Sequence, residues 1–436
     1  MPILMVGDND QLLYRFTGAK PEILTQHVSE LVEVQTIKLH INYRSTQKIV
    51  AIQLRLIENN YSAKGGPYPQ ELVKELQAKP DTEQGQAVSY QMYDTPQEES
   101  IVLVNEIQIL LRDGYKPQDI FVASRTRAQL GYLEGGLVKA KIPFINIAGG
   151  SFWNSKHVQD VIAYVKLAYD NSDNEAFARV YDTGSNENVY TYSDKRGRFN
   201  KGDYSAKRWL GKQFLSACDG QYKNIYQALK SRNGWRWRNG VEDLVNMLDL
   251  INLALAEDGL SLALETVIDN CYKDYLIAID EIDEGADSSK LDDLNTVVDM
   301  ARTFDDCESF FSYVDECVRS AEDAKNGDWS EYVILSTAHR LKGLERKVIF
   351  GIGLCEGYDE NNEPCGLLPH TYSMKYPPQF GVLPGSGMGR IEDERCLAFV
   401  LVSRGQERVI LSGVRSYQKM VNLQPSRFVM EMMKDG

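Results

Sequence analysis

The sequence predicts a mixed α/β fold, in which a parallel sheet is flanked by helices and a mostly α-helical lobe is inserted into the domain that carries the sheet. Three observations support this prediction. Short apolar runs alternate with amphipathic helical stretches as far as Tyr169, similar apolar runs resume at Tyr332, and the segment between them is mostly helical in pattern. Because strands that alternate with helices favour parallel pairing, we expect the two outer stretches to share one sheet.

The elements before the lobe follow from the spacing of their apolar residues. Apolar runs bounded by turn residues indicate strands, and apolar residues at helical spacing indicate helices. Strands are predicted at Ile3–Val6, Val34–Leu39, Ala87–Tyr93, Ile120–Ala123 and Ile142–Ile147. Helices are predicted around Pro21–Leu31 and at Ser45–Asn59, Glu98–Arg112, Ala128–Ala140 and Val158–Tyr169.

After the lobe the apolar runs return. Strands are predicted at Tyr332–Ser336, Lys347–Ile352 and Val409–Leu411, with the apolar segment Cys396–Val402 leading to the last of them. The sequence therefore predicts one domain made of residues 35–175 and 330–436, with an accessory lobe at 176–329.

Composition excludes several classes of protein. Of 436 residues, 43% are apolar and 25% charged, and no uncharged apolar run is long enough to span a membrane, so neither disorder nor a membrane protein is expected. The N-terminal residues lack the basic start of a secretory signal. The seven cysteines are scattered without a Cys-x-x-Cys pair, which favours reduced thiols in the cytoplasm and no zinc or other metal site.

Charge is distributed unevenly along the chain. The net charge is −14, but residues 241–330 hold 24 acidic and five basic residues. Residues 195–240 hold 12 basic and two acidic residues, interleaved with Phe199, Tyr204, Trp209, Phe214, Tyr222, Tyr226, Trp235 and Trp237. Cations neutralise phosphates and aromatic faces stack on bases, so this basic stretch is either a polyanion-binding strip or a solvated face with core aromatics.

Two motifs near the N-terminus place polar groups at strand ends, where open parallel sheets carry their ligand sites. The run Ile3–Ala19 has the amide of Gln11 just after the first strand, with Tyr14 and Phe16 on the same loop. The run Asn42–Ser45 pairs the ring of Tyr43 with the guanidinium of Arg44, a group suited to phosphate. Arg44 is alternatively a surface ion pair of little energetic weight.

Further motifs follow later strands. Residues 333–345 place five chemically useful residues in and around one turn after a buried strand: Thr337, His339, Lys342, Gly343 and Glu345. Residues 392–405 deliver Ser403 and Arg404 at the end of an apolar segment, and residues 149–160 supply paired glycines and aromatics before a helix. Such density of polar groups after strands indicates ligand contact.

In order and spacing these motifs resemble the C-terminal motifs of the UvrD/Rep/PcrA-like superfamily 1 DNA helicases. The resemblance implies a RecA-like fold and an ATP site between two RecA-like domains. By position, Gln11 would sense the γ-phosphate, while Arg44 and Arg404 would brace it. Tyr43 would stack on the adenine and Glu345 would contact the ribose, with Gly343 in the same nucleotide-binding turn.

The resemblance also implies a path for single-stranded DNA that leads to a duplex junction. Phe16 would stack on a base, and Tyr14, Thr337, His339 and Lys342 would line the path. Base stacking of this kind contributes roughly 1–3 kcal/mol per base and tolerates any sequence. Movement in the 3′-to-5′ direction is a further implication of the resemblance.

The sequence lacks the phosphate cradle of such an enzyme. A P-loop needs Gly-x-x-x-x-Gly-Lys-Ser/Thr, and the only Gly-Lys pair, Gly211-Lys212, is followed by Gln213. Leu276–Ile279 followed by Asp280-Glu281 matches the bare pattern of a Walker B strand, but it lies in the acidic lobe and is therefore not assigned that role. In the family both phosphate-binding motifs precede the third motif, which the segment with Gln11 resembles, so we expect residues 1–34 to be the C-terminal remnant of a first RecA-like domain. A second polypeptide would then supply Walker A, Walker B and the Mg²⁺ site.

The leading hypothesis is therefore the C-terminal half of a split, ATP-dependent helicase. The alternative is a non-hydrolytic DNA-binding or regulatory protein derived from a truncated helicase, although such a protein has no need of γ-phosphate contacts. A fragment that never folds stably is a third possibility. A nuclease is disfavoured because no cluster of carboxylates and lysines stands out.

Overall fold

The computed structural model describes residues 4, 6–11, 13, 37–66, 68, 70, 73–183, 208–278, 289–325, 329–375 and 391–434. The chain divides into two compact units. Unit 1 comprises Met1–Ser151 and Ser320–Gly436, and unit 2 comprises Phe152–Arg319. The helical lobe predicted at 176–329 falls mostly in unit 2, and its assignment as an accessory domain remains a prediction.

The strands of unit 1 form three sheets. In chain order they are β1 (Ile41–Asn42), β2 (Gln77–Ala78), β3 (Ser89–Tyr93), β4 (Ile120–Ser124), β5 (Phe144–Asn146), β6 (Val333–Thr337), β7 (Arg346–Gly351), β8 (Cys355–Tyr358), β9 (Pro364–Gly366), β10 (Gly405–Val414) and β11 (Gln424–Pro425). The main sheet has the order β3-β10-β7-β4-β6-β5 with every pair parallel. Strands β1 and β2 pair in parallel, and β8 pairs antiparallel with both β9 and β11.

Fourteen α-helices lie in the described residues. They are α1 (Gln47–Ile57), α2 (Pro96–Arg112), α3 (Arg127–Lys139), α4 (Lys156–Tyr169), α5 (Asn174–Val180), α6 (Gly211–Ala217), α7 (Ile225–Leu229), α8 (Arg238–Val267), α9 (Lys273–Ala278), α10 (Ser289–Ala301), α11 (Cys307–Lys325), α12 (Thr371–Lys375), α13 (Ile391–Val402) and α14 (Arg427–Met433). Helix α8 is kinked where Asp258 and Gly259 leave helical geometry.

The core of unit 1 explains why its sheet forms. Every residue of β4 is buried, as expected of a central parallel strand covered on both faces. Phe121 of β4 shares a cluster with Leu56 of α1, Phe399 of α13 and Phe428 of α14. Helix α2 begins where it does because the Thr95 hydroxyl accepts the backbone N–H of Glu98, with proline at the first helical position.

The regular secondary structure in the described residues of unit 2 is entirely helical, and aromatic rings pack in its core. Trp153 contacts the rings of Phe310 and Tyr313 edge-on, with centroids 6.2 and 5.4 Å away. The fully buried guanidinium of Arg208 donates to Asp243 at 2.6 Å, which compensates its charge. This unit therefore has a core of its own.

Outside the N-terminal region, the strands and helices predicted individually are observed where the structure describes them, whereas β8, β9, β11, α12 and α14 were not predicted. The strand predicted at Val34–Leu39 is wrong over its described part, since Ile37 and Leu39 are exposed and irregular and the strand begins at Ile41. Leu4 and Val6 of the predicted first strand are also exposed and outside any strand. Apolar residues form a stable strand only with a paired neighbour, and none of the described strands pairs with these positions. The helix predicted around Pro21–Leu31 lies outside the described residues.

Within the described part of the chain, no helix combines the length and the apolar character needed to cross a membrane. No group of three or more His, Cys, Asp or Glu side chains there is arranged to hold a metal ion. All seven cysteines are described, and no disulfide joins any of them.

Candidate functional site

Two chain segments of the predicted site meet at the edge of the main sheet where β7 and β10 begin, here called the amino edge. Glu345 directly precedes β7 and Arg404 directly precedes β10, and Gly405 of β10 pairs with Arg346 of β7. These adjacent parallel strands therefore bring together two residues that are far apart in sequence.

The turn before α1 brings Arg44 to the same edge. The Asn42 side-chain oxygen accepts the backbone N–H groups of Arg44 and Ser45 at 2.8 and 3.0 Å, which closes the turn. The Ser45 hydroxyl then donates to the carbonyl oxygen of Gly405 at 2.6 Å. Local turn chemistry and one long-range hydrogen bond thus fix Arg44 next to Arg404.

The Arg44 guanidinium is bound on two sides. Its Nε donates to Glu345 Oε2 at 2.5 Å and its Nη1 donates to the Ser403 carbonyl at 2.8 Å. The other oxygen of Glu345 accepts from Gln406 Nε2 at 3.1 Å. The hydrogen bond from Arg44 lowers the pKa of Glu345 below its usual value. The carboxylate is therefore ionised and oriented by two donors.

Arg404 is 2% exposed, and its hydrogen-bond partners are all neutral. Its guanidinium donates to the carbonyl oxygens of Val400 at 3.1 Å and Leu344 at 3.4 Å, and to the Ser403 hydroxyl at 2.9 Å. Burial and the nearby charge of Arg44 lower its pKa to about 10, so it stays protonated at neutral pH. A buried cation without a carboxylate in contact favours the approach of an anion.

Gln11 lies near the same edge, since its partner Asp8 is close enough to Arg404 to act on the charge of that guanidinium. The carbonyl oxygen of Gln11 accepts from Lys342 Nζ at 3.3 Å, and its side-chain amide donates to Asp8 at 2.8 Å. Lys74 forms ion pairs with both Asp8 and Asp10. These contacts place Gln11 within the same group of charged residues as Lys342.

Asp10 anchors this N-terminal segment in the core of unit 1. Its carboxylate is 1% exposed and accepts from the Tyr61 hydroxyl at 2.5 Å, and burial raises its pKa. Nearby Leu13 is buried in the main core cluster. Sequence reasoning missed the roles of Asp10, Tyr61 and Lys74. The only sequence signal was a second acidic residue directly before Gln11.

A second group of predicted residues lies at the opposite, carboxyl edge of the sheet. Thr337 ends β6 and is followed by a short 3-10 helix, Ala338–Leu341. Thr337, His339 and Arg340 line an open depression together with Ile147. Arg340 donates to the Ile147 carbonyl at 3.2 Å, which ties the turn to the residue just beyond β5.

Arg125 and buried Glu394 form a bidentate ion pair near the carboxyl edge. Arg125, just after β4, donates to both oxygens of buried Glu394 at 2.8–3.0 Å. Burial opposes ionisation, but Arg125 lowers the pKa of Glu394 to about 2. Burial and Arg125 also lower the pKa of His339 to about 4, so its imidazole is neutral at neutral pH. Sequence reasoning missed this pair, although Arg125 directly follows a buried strand.

The structure thus separates the predicted site residues into two groups. Arg44, Glu345 and Arg404 come together at the amino edge, and Gln11 and Lys342 contact each other nearby, whereas Thr337 and His339 lie at the carboxyl edge. Lys342, predicted on the DNA path, contacts Gln11 in the first group. Tyr43 is 74% exposed beside Arg44, and Gly343 occupies the left-handed region at φ +87°. Tyr14 and Phe16 lie outside the described residues.

The six-stranded parallel sheet, with its cationic group at one edge and its open depression at the other, defines a RecA-like helicase domain. The sequence matches the UvrD-like helicase C-terminal domain over residues 37–416, and the chain belongs to that family. It is 26% identical to DNA helicase II of Escherichia coli (strain K12), with 99% of this chain and 55% of that protein covered. It is 25% identical to the ATP-dependent DNA helicase PcrA of Bacillus subtilis (strain 168), with 99% and 54% covered. The chain spans about half the length of the curated relatives it matches.

Proposed function

We propose that this chain is the C-terminal half of an ATP-dependent DNA helicase that moves 3′ to 5′ along single-stranded DNA, in DNA repair or replication in the cytoplasm. In this proposal residues 1–34 belong to a first RecA-like domain, 35–175 and 330–436 form the second, and 176–329 are an accessory lobe. A second polypeptide supplies the P-loop, the Walker B acids and the Mg²⁺ they hold.

The proposal rests on the proximity of the Arg44 and Arg404 guanidinium groups at the amino edge. Glu345 forms an ion pair with Arg44 alone, and the guanidinium of Arg404 beside it donates only to neutral oxygens, so an anion would be stabilised there. Phosphoryl transfer spreads negative charge over the γ-phosphate oxygens, and cations placed against them stabilise the transition state. Planar guanidinium groups match that geometry better than ammonium groups do.

The neighbouring residues have chemistry that suits the rest of a nucleotide. The exposed ring of Tyr43 presents a face on which an adenine would stack. Glu345, ionised and held by Gln406, would accept hydrogen bonds from ribose hydroxyls. The Gln11 side chain would exchange its bond to Asp8 for a water or a phosphate oxygen when the site closes.

The carboxyl edge suits a DNA strand. Thr337 and neutral His339 would contact bases and sugars without adding charge, and Arg340 would contact phosphate. In the proposal, Phe16 and Tyr14 extend this path. Closure of two RecA-like domains on ATP at one edge would then move the strand held at the other.

The test is complementation. The purified chain is mixed with a polypeptide that carries Walker A and Walker B, and DNA-stimulated ATP hydrolysis is measured for each part and for the mixture. We expect activity in the mixture alone, and loss of activity with Arg404→Ala while DNA binding is kept. The matched control is Arg415→Ala, because Arg415 is an exposed residue at the other end of β10. DNA binding with no nucleotide phenotype in any arm would instead favour a non-hydrolytic binding protein.

A further inference from the structure

A short stretch of unit 2 has a charge opposite to that of the chain as a whole. Residues 220–241 contain no acidic residue and five basic ones: Lys223, Lys230, Arg232, Arg236 and Arg238. All five are exposed. Within the described residues, none of these five side chains forms a hydrogen bond or an ion pair. Cationic side chains without protein partners are available to a polyanion.

Other basic residues of the same unit behave differently. Lys156, Lys166, Arg179, Arg208 and Arg302 each form an ion pair with a carboxylate of unit 2. Unit 2 is rich in acidic residues, so pairing is readily available to its cations. Lys212 and Lys273 of unit 2 likewise form no ion pair within the described residues, but only the stretch 220–241 groups five such cations without an intervening acidic residue.

Trp235 projects from the middle of this stretch and is 77% exposed. The ring of the neighbouring Trp237, by contrast, packs against the ring of Phe214, with centroids 5.4 Å apart. A buried side chain of this size would contribute at least about 1.5–3 kcal/mol to folding, which Trp235 forgoes. Its position is thus not explained by the core.

The turn that carries Trp235 is sterically fixed. Gly234 begins a 3-10 turn, Gly234–Arg236, and a Cβ at Gly234 would lie 1.6 Å from the Leu229 carbonyl oxygen. The backbone N–H groups of Arg236 and Trp237 donate to Asn233 and Gly234 at 3.0 and 3.1 Å. A rigid turn presents an aromatic ring at low entropic cost on binding.

We propose that Arg232, Trp235, Arg236 and Arg238, here called the Trp235 patch, bind unpaired nucleotides of a DNA strand. The indole stacks on a base, and the flanking guanidinium groups contact phosphates. The proposal takes its ligand from the proposed function, but the patch lies in unit 2, whereas every site residue named above lies in unit 1. It is thus a second DNA contact with its own residues.

The experiment measures binding of the purified chain to a fluorescent oligothymidylate of about a dozen nucleotides, a length that covers one typical single-strand site. Trp235→Ala is expected to weaken binding about 5- to 140-fold, as loss of one stacked base predicts. Trp235→Phe keeps an aromatic face and should retain most of the affinity. Arg236→Ala with Arg238→Ala should reduce the slope of log affinity against log salt by roughly 1.4.

Two matched controls come from the same unit. Tyr169→Ala removes an aromatic side chain that is 50% exposed but has acidic neighbours. Arg302→Ala with Arg319→Ala changes the net charge as much as the double variant of the patch does. Both controls should leave affinity and salt slope near those of the unaltered chain.

The outcomes separate this proposal from the proposed function. If His339→Ala weakens binding and Trp235→Ala does not, the patch is refuted while the helicase proposal stands. If Trp235→Ala weakens binding to an abasic strand as much as to oligothymidylate, stacking is refuted. If the unaltered chain binds no DNA, the patch is refuted, while the helicase proposal is decided separately by DNA-stimulated ATP hydrolysis in the complemented mixture. Selective loss on Trp235→Ala with rescue by phenylalanine supports the patch.

Discussion

Two arginines at opposite edges of the same sheet have different surroundings. Arg125, at the carboxyl edge, has a buried carboxylate as its partner and forms three hydrogen bonds to it. Arg404, at the amino edge, is more deeply buried but touches only carbonyl and hydroxyl oxygens. Arg125 therefore completes its charge pair within the fold, whereas Arg404 keeps a positive charge that no carboxylate of the described residues contacts.

The largest expected effect tests the functional side of this comparison. Arg404→Ala should reduce DNA-stimulated ATP turnover in the complemented enzyme by about 10³–10⁵-fold, as loss of a catalytic arginine does elsewhere. Arg404→Lys keeps the charge but loses the planar fork, so it should recover turnover only in part. Thermal melts of all variants distinguish lost catalysis from lost folding. Full turnover in Arg404→Ala would contradict the role given to this residue.

Arg125→Ala tests whether the Arg125–Glu394 ion pair stabilises the fold. This change leaves the Glu394 carboxylate buried without its cation, so the free energy of unfolding should fall by about 3–5 kcal/mol. Urea denaturation at neutral pH measures the loss. Adding Glu394→Gln to Arg125→Ala removes the unpaired charge and should restore part of the stability. If Arg125→Ala has the same free energy of unfolding as the unaltered chain, the ion pair does not stabilise the fold.

The same ion pair predicts a dependence of stability on pH. The pKa of Glu394 is lowered to about 2 in the fold, so its stabilisation is complete above its unfolded pKa of about 4.3 and is lost as pH falls toward 2. At roughly 1.4 kcal/mol per unit, the loss is about 3 kcal/mol. Melting curves between pH 6 and pH 2 should fall less steeply for Glu394→Gln, and identical curves would refute the shift.

A smaller effect is expected for Tyr43. Because its side chain is largely exposed, Tyr43→Ala should leave the melting temperature unchanged. Loss of adenine stacking should raise the KM for ATP about 2- to 10-fold with kcat retained. Tyr43→Phe is the matched control and should behave like the unaltered enzyme. An unchanged KM in the alanine variant would remove Tyr43 from the nucleotide site.

The smallest effect concerns His339. Its pKa of about 4 keeps the imidazole neutral throughout the neutral range, so it should add no pH dependence to DNA binding between pH 6 and pH 8. Affinities for oligothymidylate across this range should run parallel for the unaltered chain and for His339→Gln. A histidine that charges near pH 6.5 would instead tighten binding of the unaltered chain at the acidic end.

Local signals predicted much of the fold and part of the site. The strands β4, β6 and β7 were predicted because apolar runs bounded by turn residues are typical of buried parallel strands. Glu345 and Arg404 were singled out because they stand in dense polar clusters beside those runs. The strand predicted at Val34–Leu39 was wrong because apolar content alone does not supply a pairing partner.

The contacts that join the site could not be predicted in the same way. Arg44 and Glu345 are 301 positions apart, and Arg125 and Glu394 are 269 positions apart. No local pattern encodes which carboxylate will meet which arginine, since that depends on the strand order of the sheet. The difference between Arg404 and Arg125 is invisible in the sequence for the same reason.

We propose that Arg44 and Arg404 form one side of a nucleotide site whose phosphate-binding loop is supplied by a second polypeptide. Titration of the purified chain with a fluorescent ATP analogue, alone and with the P-loop-bearing polypeptide, tests it most directly. The claim predicts tight binding only in the mixture, weakened by Arg44→Ala. Tight binding and hydrolysis of ATP by the chain alone would contradict it.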